Sequence, residues 1–181
     1  MEIIERNNFY SAFPREFKDD IDNLYDQYSF EAAHQNHGTF EIELGQEKIN
    51  IPTRVYLDEN QFTNTHNLSK RQQQILSCIL TRHHNGFVRQ KYLMNILKIE
   101  DPWIAPYVLQ LIGEYIIEIL FDIYDNLNSS NIDFLKQIIN LNSDYWNKTK
   151  SRIISYWDCY YRNRFINKED YVGVKIISKV E

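Results

Sequence analysis

Two cysteines, four prolines and five glycines are all that this 181-residue chain contains of those types, and each scarcity excludes something. Cys78 and Cys159 lie far apart without CxxC spacing, which excludes a disulfide-framed miniprotein and suits a reducing compartment. Both read as packing residues. So little Pro and Gly excludes collagen-like and linker-like chains. No uncharged apolar run is long enough for a bilayer, because the longest, 103–127, is interrupted by Glu114, Glu118, Asp122 and Asp125. Residues 1–6 mix acidic with apolar side chains and lack a small-residue cleavage site, so they do not read as a signal peptide. The expectation is a cytoplasmic, bacterial-type globular protein of one domain, without membrane contact.

Catalytic signatures are missing as well. There is no GxSxG elbow, no GxxxxGK[ST] loop, no HExxH, and no GxGxxG after a strand. The sequence therefore predicts a non-enzymatic protein with no cofactor and no metal. Three weaker constellations remain. His83 and His84 beside Arg82 could act as acid and base on a phosphodiester, although adjacent helical residues point about 100° apart and only one can serve a given site. His34 and His37 have metal-ligand spacing but no Cys or placed carboxylate, and read as surface residues. The stripe Gln110, Glu114, Glu118, Asp122 and Asp125 could hold a hard cation, or could face Lys148, Lys150 or Arg152 of a neighbouring helix.

What the chain does have is charge in blocks. Its net charge is -5, yet residues 1–59 carry 5 basic and 13 acidic side chains, while 60–98 carry six basic ones and no acid. Residues 99–135 then hold seven acids and no base, and 136–168 seven bases against two acids. Either antiparallel elements neutralise each other along shared seams, or the two basic blocks make one face for an anionic partner.

Hydrophobic periodicity places these blocks on elements. Pro14 and the spacing of Phe17, Ile21, Leu24, Tyr25 and Tyr28 predict a helix over 14–33. Alternation over 39–44 and 48–51 around Gly45-Gln46 predicts a β-hairpin (39–51) with a type II′ turn, and Pro52 ends its ladder. The polar stretch 58–67 divides a mixed α/β part (1–58) from a helical part (68–165). Ser69 caps a helix to about His84, which Asn85-Gly86 ends; a second helix follows over 87–98. Asp101-Pro102 opens a segment so apolar around its circumference that 102–127 is expected to be the buried central helix of a bundle. Helices over 131–141 and 143–163 complete it, and 171–177 reads as a strand that could join the hairpin.

The stretch 68–127 resembles HEAT and armadillo helical repeats. The segment Asn85-Gly86-Phe87-Val88-Arg89-Gln90-Lys91-Tyr92-Leu93 is similar to their turn followed by Val-Arg, and Trp103-Ile104-Ala105-Pro106-Tyr107-Val108-Leu109 to the opening of a following helix. That resemblance implies a short stacked helical array, a scaffold binding other proteins on one face. In addition, residues 68–76 resemble the first helix of helix-turn-helix DNA-binding domains, which implies phosphate contacts from the basic block.

The fold expected is thus mainly α, a helical bundle or short HEAT-like array around 102–127 with a small hairpin. The function expected is a protein-interaction module of regulator, adaptor or toxin-neutralising type that meets an acidic partner surface. Its predicted contacts are Arg82, His84, Arg89, Lys91, Tyr161, Arg162 and Arg164, the aromatic and Arg mixture that anchors interfaces. A helix-turn-helix-like nucleic-acid binder and a His-dependent phosphodiesterase are the alternatives.

Overall fold

A computed structural model describes residues 9–30 and 38–181. The pair His34 and His37, the N-terminal hexapeptide and the last three residues of the first expected helix lie outside the described residues. The chain is mainly helical with one small hairpin, and divides into two compact units, Met1–Ile96 and Leu97–Glu181.

In the first unit a 3-10 turn after Pro14 leads into α1 (Lys18–Gln27), which buries Ile21 and Leu24. Phe30 sits edge-on to Phe9 and Tyr25 and stacks on Phe62. The expected polar boundary is therefore part of this core, since Phe62 closes a 3-10 turn over Glu59–Phe62 and is buried. Strands β1 (Thr39–Leu44) and β2 (Glu47–Pro52) pair antiparallel, Leu44 opposite Glu47, around Gly45 at φ +63. Gly45 is the one residue of that turn in the left-handed region, as a II′ turn requires. Ile42, Ile49 and Ile51 share the buried face.

Helix α2 (Lys70–Leu80) begins with a full capping box, in which Ser69 Oγ accepts from the Gln72 amide and Gln72 Oε1 accepts from the Ser69 amide. Its apolar stripe, Ile75, Leu76, Ile79 and Leu80, is buried as the periodicity predicts. Helix α3 (Gly86–Ile96) follows after five residues. Gly86 is its first residue and not the left-handed end of α2. The reason is local: Asn85 Oδ1 accepts from the Phe87 amide at 2.9 Å, capping the new helix.

The second unit corrects the central rod. The segment 102–127 is two helices, α4 (Ala105–Ile112) and α5 (Ile117–Asn126), separated by a break in which Ile116 is extended. Every residue of α4 is buried, whereas α5 buries only Ile117, Ile119, Leu120 and Ile123. The break falls at Gly113, where a Cβ would lie 2.9 Å from Arg152 Nη2 and 3.2 Å from Thr149 Cγ2. A glycine admitted for that close approach is also the weakest helix former bar proline. Helices α6 (Ser129–Leu141) and α7 (Ser143–Tyr156) follow, and α7 ends in a π turn over Trp157–Tyr161.

The tail is corrected too, because it forms helix α8 (Val172–Val180) and no strand. Val172, Ile176 and Val180 at four-residue steps form its buried stripe, and tertiary packing overrides the β-branched composition. Gly173 permits that packing, since a Cβ there would meet Ile153 Cγ2 at 2.7 Å. Among the described residues no helix is long and apolar enough to cross a membrane.

Leu120→Ala is expected to cost about 2 to 5 kcal/mol in urea unfolding, as for a fully buried leucine. Gly173→Ala should destabilise as well, opposite to the sign of helix propensity, because the added methyl collides with Ile153 and the Tyr171 ring.

Candidate functional site

Four predicted contacts, Arg82, His84, Arg89 and Lys91, belong to the first unit, where α2 hands over to α3. A helix leaves its last carbonyls without partners and its C-terminus partially negative. Here the amides of Thr81, Arg82 and His83 and the Thr81 hydroxyl take the last carbonyls of α2, and two guanidiniums serve the main chain around the turn that follows. Arg82 is 0% exposed, its Nε donating to the Pro52 carbonyl at 3.3 Å and its Nη2 to that of Thr53 at 2.9 Å. Arg89 is 2% exposed, its Nη1 donating to the carbonyls of His83 at 2.8 Å and His84 at 2.9 Å. The expectation that both arginines form an outward basic face is thus corrected. They lie inside because polar main chain at the exit of β2 and in the turn between α2 and α3 must be satisfied where water is excluded.

His83 belongs to the same clamp. The Asn85 amide donates to its Nδ1 at 3.0 Å, so the proton sits on Nε2, which reaches the Leu57 carbonyl at 2.8 Å. Both ring nitrogens are engaged and the residue is buried. His83 thus offers no free ring nitrogen to a substrate, and Arg82 and Arg89 are withdrawn from the basic block that a helix-turn-helix would turn towards phosphates. The backbone ties the same segments, with the Val55 amide donating to Arg82 O and the His84 amide to Val55 O, both at 2.9 Å.

His84 is exposed as expected. Its ring stacks on Tyr56, with centroids 4.7 Å apart and planes 5° from parallel, and touches the His83 ring at 4.3 Å. Partial desolvation first, then the neighbouring His83 and Arg89, hold its pKa below the ordinary value, against the pull of the Val55 backbone bond. Lys91 is exposed but paired, 2.5 Å from Glu59 Oε1, and this hydrogen bond raises its pKa.

Phe87, which the sequence reading passed over, stands on the surface of this turn at 84% exposure. The signal for it was present. Phe87, Lys91 and Asn95 are four apart on α3, on an exposed face about 100° round from the stripe of Val88, Tyr92 and Ile96, so an aromatic occupies a position the pattern reserves for polar residues.

The other three predicted contacts belong to the second unit. Tyr161 is half-buried, its hydroxyl donating to the Tyr115 carbonyl at 2.6 Å, and burial pushes its pKa up. Arg162 is exposed with its Nη1 on Asp158 at 2.8 Å, one helical step away. Arg164 is exposed with its guanidinium 5.2 Å from the Phe165 ring centroid. Tyr161 stacks on buried Tyr171, whose phenol is pushed far above its usual range by burial and by the phenols of Tyr161 and Tyr156. Of the acidic stripe, Gln110 and Glu114 are buried while Glu118 and Asp125 are exposed. Of the bases expected opposite it, Lys150 pairs with Glu181 at 2.7 Å, and Arg152 lies against Gly113 with its Nη2 donating to Thr149 Oγ1 at 2.9 Å.

Arg89→Leu is expected to lower stability by roughly 2 to 4 kcal/mol, since it leaves two carbonyls without their charged donor. An NMR titration of His84 should give a midpoint below 6.5. Because the unfolded chain then takes up that proton at a higher pH, the stability His84 contributes is present above 6.5 and is lost as pH falls through the folded midpoint. No protein-family model, curated protein or solved structure matches the chain.

Proposed function

We propose that the chain is a non-enzymatic protein-binding module, and that the contact element of its first unit is the turn at 84–87 with Phe87 as its anchor. One observation carries this reading. A phenylalanine stands 84% exposed on a turn that interior groups hold rigid: Arg89 from below, the Asn85 amide on His83, and the Asn85 side chain on the Phe87 amide. Large aromatics at the centre of an interface contribute most of its energy. A segment already fixed in its bound shape avoids the ordering cost that otherwise weakens association.

The same geometry shifts the expected partner. A basic face would have selected an acidic surface, but two of its cations are interior, and Lys91 and Arg162 are each neutralised by a carboxylate of this chain. Recognition at the turn therefore rests on shape, with an apolar ring flanked by the His84 imidazole and the Lys91–Glu59 pair. The complementary surface is an apolar pocket with a polar rim.

The test is a photo-crosslinking amino acid placed at position 87 and, as a control, at exposed Asn147. In the native host, position 87 should give one discrete protein adduct and position 147 none. Phe87→Ser should abolish capture of that protein while changing stability by no more than about 0.5 kcal/mol, as for an exposed site. Equal adducts from both positions, no adduct, or unaltered capture by Phe87→Ser would each overturn the reading.

A further inference from the structure

The second unit carries an aromatic surface that owes nothing to the turn at 84–87. Tyr115 lies in the break between α4 and α5, Tyr156 is the last residue of α7, and Tyr160 is inside the π turn. Their ring centroids stand 6.1 Å (115 to 156), 6.3 Å (115 to 160) and 6.1 Å (156 to 160) apart, a nearly equilateral triangle. The planes are inclined to one another by 67°, 45° and 37°, so the rings do not stack flat. Tyr160 is 66% and Tyr115 50% exposed.

Three rings at this spacing have one chemical competence that a scattered set lacks. A cation resting above the middle of the triangle is within about 6 Å of all three centroids, the range over which a ring quadrupole attracts positive charge. The chain's own nearby cations are turned elsewhere, Arg162 onto Asp158 and Arg164 over Phe165. A carboxylate follows Tyr115 by three residues. Glu118 is exposed, is held in no ion pair among the described residues, and is near enough to the Tyr161 phenol to oppose its ionisation. Clustered ring quadrupoles and an unpaired carboxylate on the adjoining helix complement a positive group.

We propose that Tyr115, Tyr156 and Tyr160 form a cup for the guanidinium of an arginine presented by a partner protein. The cup is open to water, and an exposed cation–π contact is weak, so a free small cation gains little there. A side chain delivered by a larger contact does better. Among cationic side chains, the planar and weakly hydrated guanidinium is the one that stacks on aromatic faces. The proposal rests on the protein-binding reading only for the source of the guanidinium.

The experiment uses the full chain and two short peptides, one carrying four arginines and the other citrulline, the neutral urea isostere, at the same positions. Amide and ring NMR signals of Tyr115, Tyr156 and Tyr160 are followed during titration at low salt. The arginine peptide should shift all three, and citrulline should bind at least about fivefold more weakly, a ratio expected when cation–π attraction dominates. Tyr160→Leu should lose most of that preference and Tyr160→Phe should keep it. Tyr160 is largely exposed, so both variants should fold, and circular dichroism checks this. Equal binding of the citrulline peptide, shifts elsewhere only, or displacement of the arginine peptide from these rings by oligothymidylate would overturn the proposal. The last outcome would assign the rings to base stacking on single-stranded nucleic acid. Because no partner is present in the titration, failure at Phe87 and failure of the cup are read separately.

Discussion

Two buried guanidiniums hold the first unit together. The carbonyls of Pro52 and Thr53 at the end of β2 bond Arg82, and those of His83 and His84 after α2 bond Arg89. Burying a cation carries a heavy desolvation penalty, and burying carbonyls without donors carries another. Each cost is tolerable only because the other is present. The hairpin exit, the end of α2 and the start of α3 are thus fixed relative to one another by charge-assisted hydrogen bonds at a point where apolar packing alone would leave main chain unsatisfied. The orientation of His84 and Phe87 follows from that fixation.

Such an arrangement separates two jobs that composition had merged. Basic residues of the 60–98 block at positions 82 and 89 are structural, and what the turn offers outward is aromatic and neutral. In the second unit the same division holds by other means, with Arg162 tied to Asp158 while Tyr160 of the π turn and Tyr115 of the α4–α5 break face solvent. The break depends on Gly113, whose missing side chain lets α7 come close and whose poor helix propensity ends α4 at the same residue.

Elements whose determinants are local in sequence were legible. The II′ hairpin follows from alternation and Gly45, and the start of α2 from Ser69 and Gln72, because neighbours a few residues apart decide them. Elements decided by a distant neighbour were not. Gly113 meets Arg152 and Gly173 meets Ile153, and the apolar patterns around these glycines suit a continuous rod and a strand equally well. The candidate site divides in the same way. His84 was legible as an exposed turn residue, but the burial of Arg82 is set by carbonyls some thirty positions earlier in the chain. Tyr156 and Tyr160 share a helical spacing visible in the sequence, while Tyr115 joins them only through the break after α4.

The π turn that closes α7 makes chain length itself a determinant of the aromatic surface. In an unbroken α-helix every residue from Trp157 onward would emerge at a different azimuth, and the indole of Trp157 would no longer reach the Phe165 carbonyl as it does at 2.8 Å. Loss of a single codon within 157–161 would therefore rotate Tyr160 away from Tyr156 and Tyr115, whichever of the neighbouring side chains were removed. Related chains that conserve the surface should be recognisable by an invariant residue count between Ile153 and Tyr171, even where the side chains in between have diverged.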